Sequence, residues 1–272
     1  YYNTLVDRIV PGYPKDEIKT LEEELGYSDN SIVKGEIFHL FVLQGPNSLK
    51  EKLPFEKSGL NVQFVESIVP YKEQKVKILN GSHTALVPVS YLLGIEAVKE
   101  SMEDSRVSKF VRGFIYDEVV PTIALPQADT HAFAYSVIER YSNPFVHHLL
   151  LSIALNSISK YKSRILPTVL DLNKQGKFAT HSLFSLAANI VFYRGVDLKG
   201  HKIPLNDDPK FIELFEKLWA TNDVSYVVKE VLSLPFWETE YLSTKPVVDF
   251  VTQSVESILK DGMEKALENM IK

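Results

Sequence analysis

The sequence predicts a mainly α-helical domain with a small antiparallel β-sheet near the N-terminus. Between residues 37 and 79 the apolar residues form short strand-like runs, and from Asn80 onward they recur at helical spacing. Residues 178–193 are apolar on nearly every side, which is typical of a central helix that its neighbours bury. No Gly-x-Gly-x-x-Gly fingerprint follows a strand, so no parallel nucleotide-binding sheet is predicted here.

The predicted sheet comes from short segments that are rich in β-branched and aromatic residues. Residues 3–10 are predicted as a first strand, and further strands are predicted at residues 37–43, 60–66 and 75–79. Residues 15–25 are acidic along their length and predict a solvated helix, because Pro14 suits a helix start and Gly26 a helix stop.

The remainder of the chain is predicted to be helical, with Pro, Gly, Asn and Asp between the helices. The predicted helices are residues 82–92, 94–102, 105–123, 128–141, 144–162, 165–174, 178–194, 208–219, 224–232 and 246–270. We therefore expect residues 1–79 to supply a small sheet plus one helix, and residues 80–272 to form the helical core.

Composition and charge exclude several classes of protein. The chain has a net charge of -5 and no long basic run, so we expect no nucleic-acid partner. No apolar stretch is long enough to span a bilayer, so we expect no membrane contact. The absence of cysteine excludes disulfides and thiolate sites and is compatible with a reducing compartment, so we expect a cytoplasmic protein. Because the chain begins at Tyr1 rather than Met, we also expect it to be part of a longer protein.

Lys75, Asn80 and His83 form the most promising site for chemistry. They lie within nine residues, where the pattern changes from a predicted strand to a predicted helix. Asn80 and His83 are three residues apart and point to the same side at a helix start, and an extended Lys75 can reach the same space. A base and two hydrogen-bonding groups around one oxygen suit a carbonyl/alcohol redox site. The alternative is a surface lysine, a simple helix cap and a structural histidine.

A second cluster lies at residues 156–164, where Asn156 is followed by Lys160, Lys162 and Arg164. Clustered cations of this kind can hold a carboxylate ligand, and arginine does so with two parallel hydrogen bonds. The alternative is surface charge that complements the dipole at the end of a helix. The remaining histidines are not spaced with carboxylates in a metal-binding pattern, so we expect no catalytic metal.

The segment that contains Lys75, Asn80 and His83, residues 71–88, resembles the signature of the polyol-specific long-chain dehydrogenases, the mannitol dehydrogenase family. Further similar segments are residues 3–14, 40–46, 150–167 and 192–195. The match runs over nearly the whole chain, and several of the segments are similar to those of the members that act on uronates. The Asp-Gly-Ser segment of mannitol-type relatives is absent here, which fits a change of substrate from polyol to uronate.

This resemblance implies a helical substrate and catalytic domain like the C-terminal domain of 6-phosphogluconate dehydrogenase, with an N-terminal Rossmann domain upstream of this chain. It implies that Lys75 is the zinc-independent acid and base, that Asn80 holds the carbonyl oxygen, and that His83 orients the substrate. Asp7 matches an acidic position that faces the substrate in relatives, and residues 156–164 match a substrate-binding region, which makes Asn156, Lys162 and Arg164 candidates.

The reaction implied is NADH-dependent reduction of tagaturonate to altronate in hexuronate catabolism. The NAD-binding residues would lie mostly in the upstream domain, so the isolated chain is expected to be inactive. Fructuronate and a mannitol-type polyol are alternative substrates. An alternative of another class is a non-catalytic helical scaffold, which predicts that Lys75, Asn80 and His83 are scattered and have no pocket between them.

Overall fold

A computed structural model describes residues 2–10 and 12–272 of the chain. It is mainly helical with one small three-stranded sheet near the N-terminus, as the sequence predicted. The strands are β1 Thr4–Asp7, β2 Leu40–Gln44 and β3 Val62–Val65. The longer helices are α1 Ile18–Leu25, α2 Ser48–Lys52, α3 Val69–Gln74, α4 Ser82–Leu92, α5 Val98–Glu103, α6 Ser105–Gly113, α7 Gln127–Tyr141, α8 Leu150–Ala154, α9 Ser157–Arg164, α10 Leu166–Lys174, α11 Thr180–Phe192, α12 Pro209–Trp219, α13 Val224–Leu232, α14 Lys245–Asp261 and α15 Met263–Met270.

The sheet is mixed, whereas an antiparallel sheet was expected. Its strand order is β1-β2-β3. The central strand β2 runs antiparallel to β1 and parallel to β3. A parallel pair requires a crossover connection, and residues 45–61, which include α2, supply it. A short hairpin loop, which can join two antiparallel strands, therefore does not connect β2 and β3.

The prediction of a strand at residues 75–79 is wrong. Lys75–Gly81 is a π-helical turn between α3 and α4, so one continuous helix runs from Val69 to Leu92. The alternation of Val76, Ile78 and the polar residues between them resembled a strand, and such short runs do not distinguish a strand from a buried helical segment. Ile78 and Leu79 are both buried, because this helix lies between neighbours on more than one side.

Two predicted helices are each divided in the structure. Residues 144–162 contain α8 and α9, which are separated at Leu155 and Asn156, and Asn156 has a left-handed backbone with φ 54°. Residues 246–270 contain α14 and α15, which are separated at Gly262, where φ is 85°. Each break contains a residue with a positive φ, Asn156 or Gly262, and the apolar pattern continues across it.

The helical body packs around α11, where every residue from Ser182 to Phe192 is buried. Helices α4 and α14 pack against it, so the segment that carries His83 is held by the centre of the core. In the part of the chain that the structure describes, no helix is both long and apolar enough to cross a membrane. The predicted central helix is thus the element that fixes the position of α4.

Candidate active site

The π-helical turn determines which side chains of the 75–83 segment share a face. In a turn closed by bonds between residues five apart, Asn80 follows Lys75 by one turn, whereas on an α-helix the two would be about 140° apart. Asn80, His83 and Thr84 are then three and four residues apart and share one side of the start of α4. The turn therefore directs Lys75 and Asn80 toward a common side, although the predicted strand does not form.

Lys75 lies against the first strand. Its Nζ donates a hydrogen bond to the carbonyl oxygen of Val6 at 2.6 Å and lies 3.9 Å from Oδ1 of Asp7. The side chain of Lys75 is 22% exposed, so its neighbours cover it only in part. The structure thus holds the amine of Lys75 beside a buried carboxylate and a carbonyl group.

Asp7 is held by Arg140 rather than being free for a ligand. Both carboxylate oxygens of Asp7 accept hydrogen bonds from Arg140 at 3.0 Å. The same guanidinium donates to Glu36 at 2.7 to 3.1 Å and stacks over the ring of Phe38. Burial lowers the pKa of Arg140, but the hydrogen bonds that it donates to Asp7 and Glu36 outweigh this effect and raise the pKa. This arrangement favours Asp7 as a group that positions Lys75 over one that contacts a substrate directly.

His83 is buried and electrically neutral. Its ring stacks on Tyr141 with centroids 4.2 Å apart and meets the edge of His148 at 5.2 Å. Burial, followed by the charges of His148, Arg140, Arg164 and Lys160, lowers its pKa well below the usual 6.5. Its Nε2 atom is buried, and none of the described residues forms a hydrogen bond with it. An unpaired buried nitrogen on a neutral ring is available to a ligand oxygen.

Tyr141 is a site residue that the sequence did not reveal. Its hydroxyl donates to the carbonyl oxygen of Leu79 at 2.6 Å and lies 2.7 Å from Oγ of Ser82. Burial is the main cause that raises its pKa, so the phenol stays protonated. It satisfies a carbonyl of the π-turn and supports the ring of His83. No local signal marks this residue, because its partners lie about sixty positions away in the sequence.

Asn80 has a free carboxamide. Its backbone oxygen accepts a hydrogen bond from Thr84 at 2.9 Å, and its side chain is half-buried. Within residues 2–10 and 12–272, no hydrogen bond to this side chain is formed. Asn80 therefore presents two donors and an acceptor beside the neutral imidazole of His83.

The structure separates the predicted members of the second cluster. Lys162 forms an ion pair with Glu238 at 2.8 Å and lies over the ring of Phe236. Asn156 is exposed, and its backbone forms the turn that starts α9. Neither residue is brought to the 75–83 segment. Both are thus better explained by the packing and the start of α9 than by contact with a ligand at His83.

Arg164, by contrast, reaches the 75–83 segment. Its Nη1 donates to Oγ1 of Thr84 at 3.2 Å, and Thr84 in turn bonds to Asn80. Lys160, one turn earlier on α9, is close enough to lower the pKa of both His83 and His148. Lys160 was not among the predicted ligands, although its spacing of four residues from Arg164 was a signal that the two share a helix face.

Lys77 has a structural role, although its sequence position is next to the site. Its side chain is 4% exposed and forms ion pairs with Glu73 at 2.6 Å and Asp171 at 2.9 Å. On a strand Lys75 and Lys77 would share a face. In the helical turn that actually forms, Lys77 points into the protein.

A cleft of about 820 Å³ lies beside the ion pair of Glu36 and Arg140, and both residues form part of its wall. Lys75, Asn80 and His83 do not line this cleft. Among the described residues, no group of three or more histidine, aspartate or glutamate side chains could hold a metal ion.

Comparison with known proteins identifies the family. The profile of the mannitol dehydrogenase C-terminal domain matches residues 67–259. Altronate oxidoreductases of Enterobacter sp. (strain 638) and Klebsiella pneumoniae (strain 342) are each 44% identical to the chain, over 99% and 98% of its length. The chain spans 57% of the length of each of these relatives, a little over half.

Solved structures share the fold. Mannitol 2-dehydrogenase of Pseudomonas fluorescens, in a ternary complex with NAD and D-mannitol, has a TM-score of 0.85 at 24% identity and covers 100% of this chain and 54% of its own. A substrate-free D-sorbitol dehydrogenase has a TM-score of 0.83 at 26% identity, over 98% of this chain and 54% of its own. The chain therefore belongs to the mannitol dehydrogenase family.

Proposed function

We propose that this chain carries the substrate-binding and catalytic residues of an oxidoreductase that interconverts tagaturonate and altronate with NADH and NAD. The observation that carries the proposal is the π-helical turn, which directs Lys75 and Asn80 to one side beside the neutral, unpaired imidazole of His83. The choice of substrate is supported by the altronate oxidoreductases that are 44% identical over nearly the whole chain.

The chemistry follows from the groups at this site. When bound, the nicotinamide cofactor supplies the hydride that forms the new C–H bond at the substrate carbonyl carbon. As the carbon–oxygen π bond breaks, its electron pair moves to oxygen, and the ammonium of Lys75 supplies the proton that completes the hydroxyl. Asn80 and neutral His83 donate hydrogen bonds to the same oxygen and stabilise the charge that develops on it. In the oxidation direction, the amine of Lys75 accepts the proton.

Asp7 and Arg140 act on Lys75 rather than on the substrate. With Asp7 fixed on both oxygens by Arg140, the Nζ of Lys75 is held between that carboxylate and the carbonyl of Val6. A fixed amine loses less freedom when the substrate arrives, which favours proton transfer. Tyr141 fixes the ring plane of His83 in the same way.

The described residues contain no fold that suits a dinucleotide. The three-stranded sheet is mixed and has no glycine-rich turn that leads into a helix, which a pyrophosphate requires. We therefore propose that NAD is bound by a Rossmann domain elsewhere in a longer protein. The relatives leave room for this, since the chain spans 57% of their length.

A polyol substrate is the second candidate function, because the solved structures with this fold include a mannitol 2-dehydrogenase and a sorbitol dehydrogenase. Fructuronate differs from tagaturonate in configuration, and it remains an alternative keto-uronate. A purely structural module predicts no pocket between Lys75, Asn80 and His83, and these residues do not line the cleft of about 820 Å³. The buried Nε2 of His83, which has no partner among the described residues, favours a ligand instead.

The proposal is tested with the full-length protein, by following NADH oxidation with tagaturonate, fructuronate and fructose. We expect tagaturonate to give the highest kcat/KM. A preference for fructose would support the polyol alternative, and the absence of turnover with all three ketoses would contradict the proposal.

Replacing Lys75 tests its assigned role. Lys75→Ala should lower kcat by roughly 10²–10⁴-fold with a smaller change in KM, because it removes general acid catalysis. The matched control is Lys72→Ala, which removes an exposed lysine from the preceding turn of the same helix. Lys77→Ala is unsuitable as a control, because Lys77 is buried in two ion pairs. Near-normal turnover of Lys75→Ala would refute the assignment.

A further inference from the structure

Two cations on one face of α9, Lys160 and Arg164, have no acidic partner within ion-pair distance in the part of the chain that the structure describes. Lys160 Nζ donates to the carbonyl oxygen of Ile153 at 2.8 Å, and Arg164 donates to the hydroxyl of Thr84 at 3.2 Å. Both are only partly exposed. The direct hydrogen-bond partners of these two cations are thus neutral oxygens.

This arrangement is unfavourable in the absence of a ligand. Like charges four residues apart on a helix repel each other, and partly buried cations lose hydration without gaining an ion pair. Burial, and then the charge of Arg164, lowers the pKa of Lys160 from 10.5 to about 8, although Asp207 partly opposes this. Burial also lowers the pKa of Arg164. Arg140, by contrast, is buried between two carboxylates. An anion would give Lys160 and Arg164 the same kind of partner.

The surroundings of the pair indicate where this anion belongs. Thr84 joins Arg164 to the backbone of Asn80, so Arg164 adjoins the turn that presents the site. His83, 7% exposed, has a buried Nε2 without a partner, and its pKa responds to both Lys160 and Arg164. An anion held by the two cations would therefore lie next to the groups that meet the reacting oxygen.

We propose that Lys160 and Arg164 together bind the terminal carboxylate of the substrate, and that this pair makes the site selective for sugar acids over neutral sugars. The inference rests on the function proposed above and adds its carboxylate-binding residues. It also assigns the role to Lys160 instead of Lys162. On an α-helix Lys162 lies about 160° from Lys160, and the structure pairs it with Glu238 on another side.

The pair can be tested in the full-length protein with two substrates that differ only at one end. The first is tagaturonate, and the second is the neutral ketose in which CH2OH replaces its carboxylate. For Lys160→Met and for Arg164→Met, we expect KM for tagaturonate to rise roughly 10- to 150-fold, the effect of one charge-assisted hydrogen bond. KM and kcat for the neutral ketose should change little. Lys162→Met is the matched comparison on the same helix and should leave KM for tagaturonate unchanged.

The pH dependence gives a readout that a merely structural lysine would not affect. The groups that face Lys160 are Arg164, Asp207, His83 and His148. Since a carboxylate is bound by the protonated amine, KM for tagaturonate should rise as the pH passes about 8. In Lys160→Arg tight binding should return, and the rise should move to higher pH, because arginine remains charged.

The outcomes separate this inference from the proposed function. If the wild type reduces tagaturonate but Lys160→Met and Arg164→Met bind it normally, the carboxylate assignment is wrong and the proposed reaction stands. An equal rise of KM for tagaturonate and for the neutral ketose would also overturn the assignment. If the wild type does not turn over any keto-uronate, the proposed reaction fails, and calorimetric binding of altronate to the same variants still decides the inference. A wild-type affinity in both Met variants would reject it.

Discussion

At the scale of single residues, Lys75 and Lys77 show how much one helical turn changes the role of a lysine. Lys75 is partly exposed beside Asp7, and Lys77 is almost fully buried between Glu73 and Asp171. Removal of Lys77 would leave Glu73 without its cation and Asp171 with Lys174 alone, so its loss would affect stability before activity. Of these two lysines, Lys75 is the one whose side chain is partly exposed.

The two imidazoles at this site, the buried His83 and the half-buried His148, should make the protein sensitive to acid. Burial is the largest cause that lowers the pKa of each, followed by His148 for His83 and by Lys160 for His148. The folded state therefore binds fewer protons than the unfolded state below about pH 6.5, where a free histidine is protonated. The contribution of these two histidines to the free energy of unfolding is therefore fully present above about pH 6.5. It is lost as the pH falls toward their lowered pKa values.

We expect the free energy of unfolding of the full-length protein to fall between pH 6.5 and 5, by at most about 1.4 kcal/mol per pH unit for each histidine. Urea unfolding at several pH values measures this slope. The variant His83→Gln/His148→Gln should have a shallower slope. His201→Gln, in which a 76% exposed side chain is replaced, should keep the wild-type slope. An unchanged slope in the double variant would contradict the account.

At the scale of elements, the π-turn between α3 and α4 persists because its carbonyl groups have partners. Tyr141 and Ser82 both bond to the oxygen of Leu79, and Ser82 also bonds to that of Ile78. These bonds satisfy groups that a wider turn aligns less well than an α-helix does. Such turns occur frequently at functional sites, and this one brings Asn80 one turn beyond Lys75.

Asn156 belongs to the same scale, because its backbone starts α9. It has φ 54°, its N–H donates to Asn206, and its carbonyl accepts from the backbone of Lys160. Asparagine and glycine tolerate this conformation, whereas a β-branched residue does not. We therefore expect Asn156→Gly to keep KM and stability near wild type, and Asn156→Val to lower the free energy of unfolding by about 1–2 kcal/mol.

Chemical denaturation and KM for tagaturonate measure these two effects in the full-length protein. A large rise of KM in Asn156→Gly would show that the carboxamide binds the substrate, as the sequence suggested. The left-handed backbone explains why asparagine occupies position 156 only if Asn156→Val is less stable and Asn156→Gly binds tagaturonate normally.

At the scale of the whole molecule, the sheet has little core of its own. Its buried cluster comprises only Leu40, Val42 and Ile68, whereas the helical body has one large core. The buried carboxylates Asp7 and Glu36 join the sheet region to α7 through Arg140. This network therefore connects the part of the chain that positions Lys75 with the part that positions His83.

Arg140→Ala should separate these two parts. It leaves two buried carboxylates unpaired, which costs about 3–5 kcal/mol. In hydrogen exchange we expect amides of Thr4–Asp7 and Leu40–Gln44 to lose protection, while those of Thr180–Phe192 keep it. Arg140→Lys keeps the positive charge but not the paired hydrogen bonds of the guanidinium. Its loss of protection should therefore lie between those of the wild type and Arg140→Ala. Equal loss of protection in strands and in the central helix would contradict this role.

The sequence by itself determined the helical body and the family. Residues 178–193 are apolar on nearly every side, which indicated a buried central helix, and α11 is the centre of the core. Gly26 was predicted as a helix stop and has the left-handed backbone of one. The segment containing Lys75, Asn80 and His83 indicated the family that the profile match confirms. These features are local, because spacing along the chain records which faces must be buried.

Only the tertiary structure decided which side chains meet. The chain at Lys75 could form a strand or a helix by its own pattern. In the structure it forms a π-turn that packs against α7 and α9, with Lys75 bonded to Val6 and Lys77 paired with Asp171. Lys160 and Lys162 are the same residue type on the same helix, α9, so the sequence alone does not assign them different roles. Contacts with Thr84 and Glu238 decide which face points to His83. Such choices depend on partners more than seventy residues away, and short-range spacing carries no record of them.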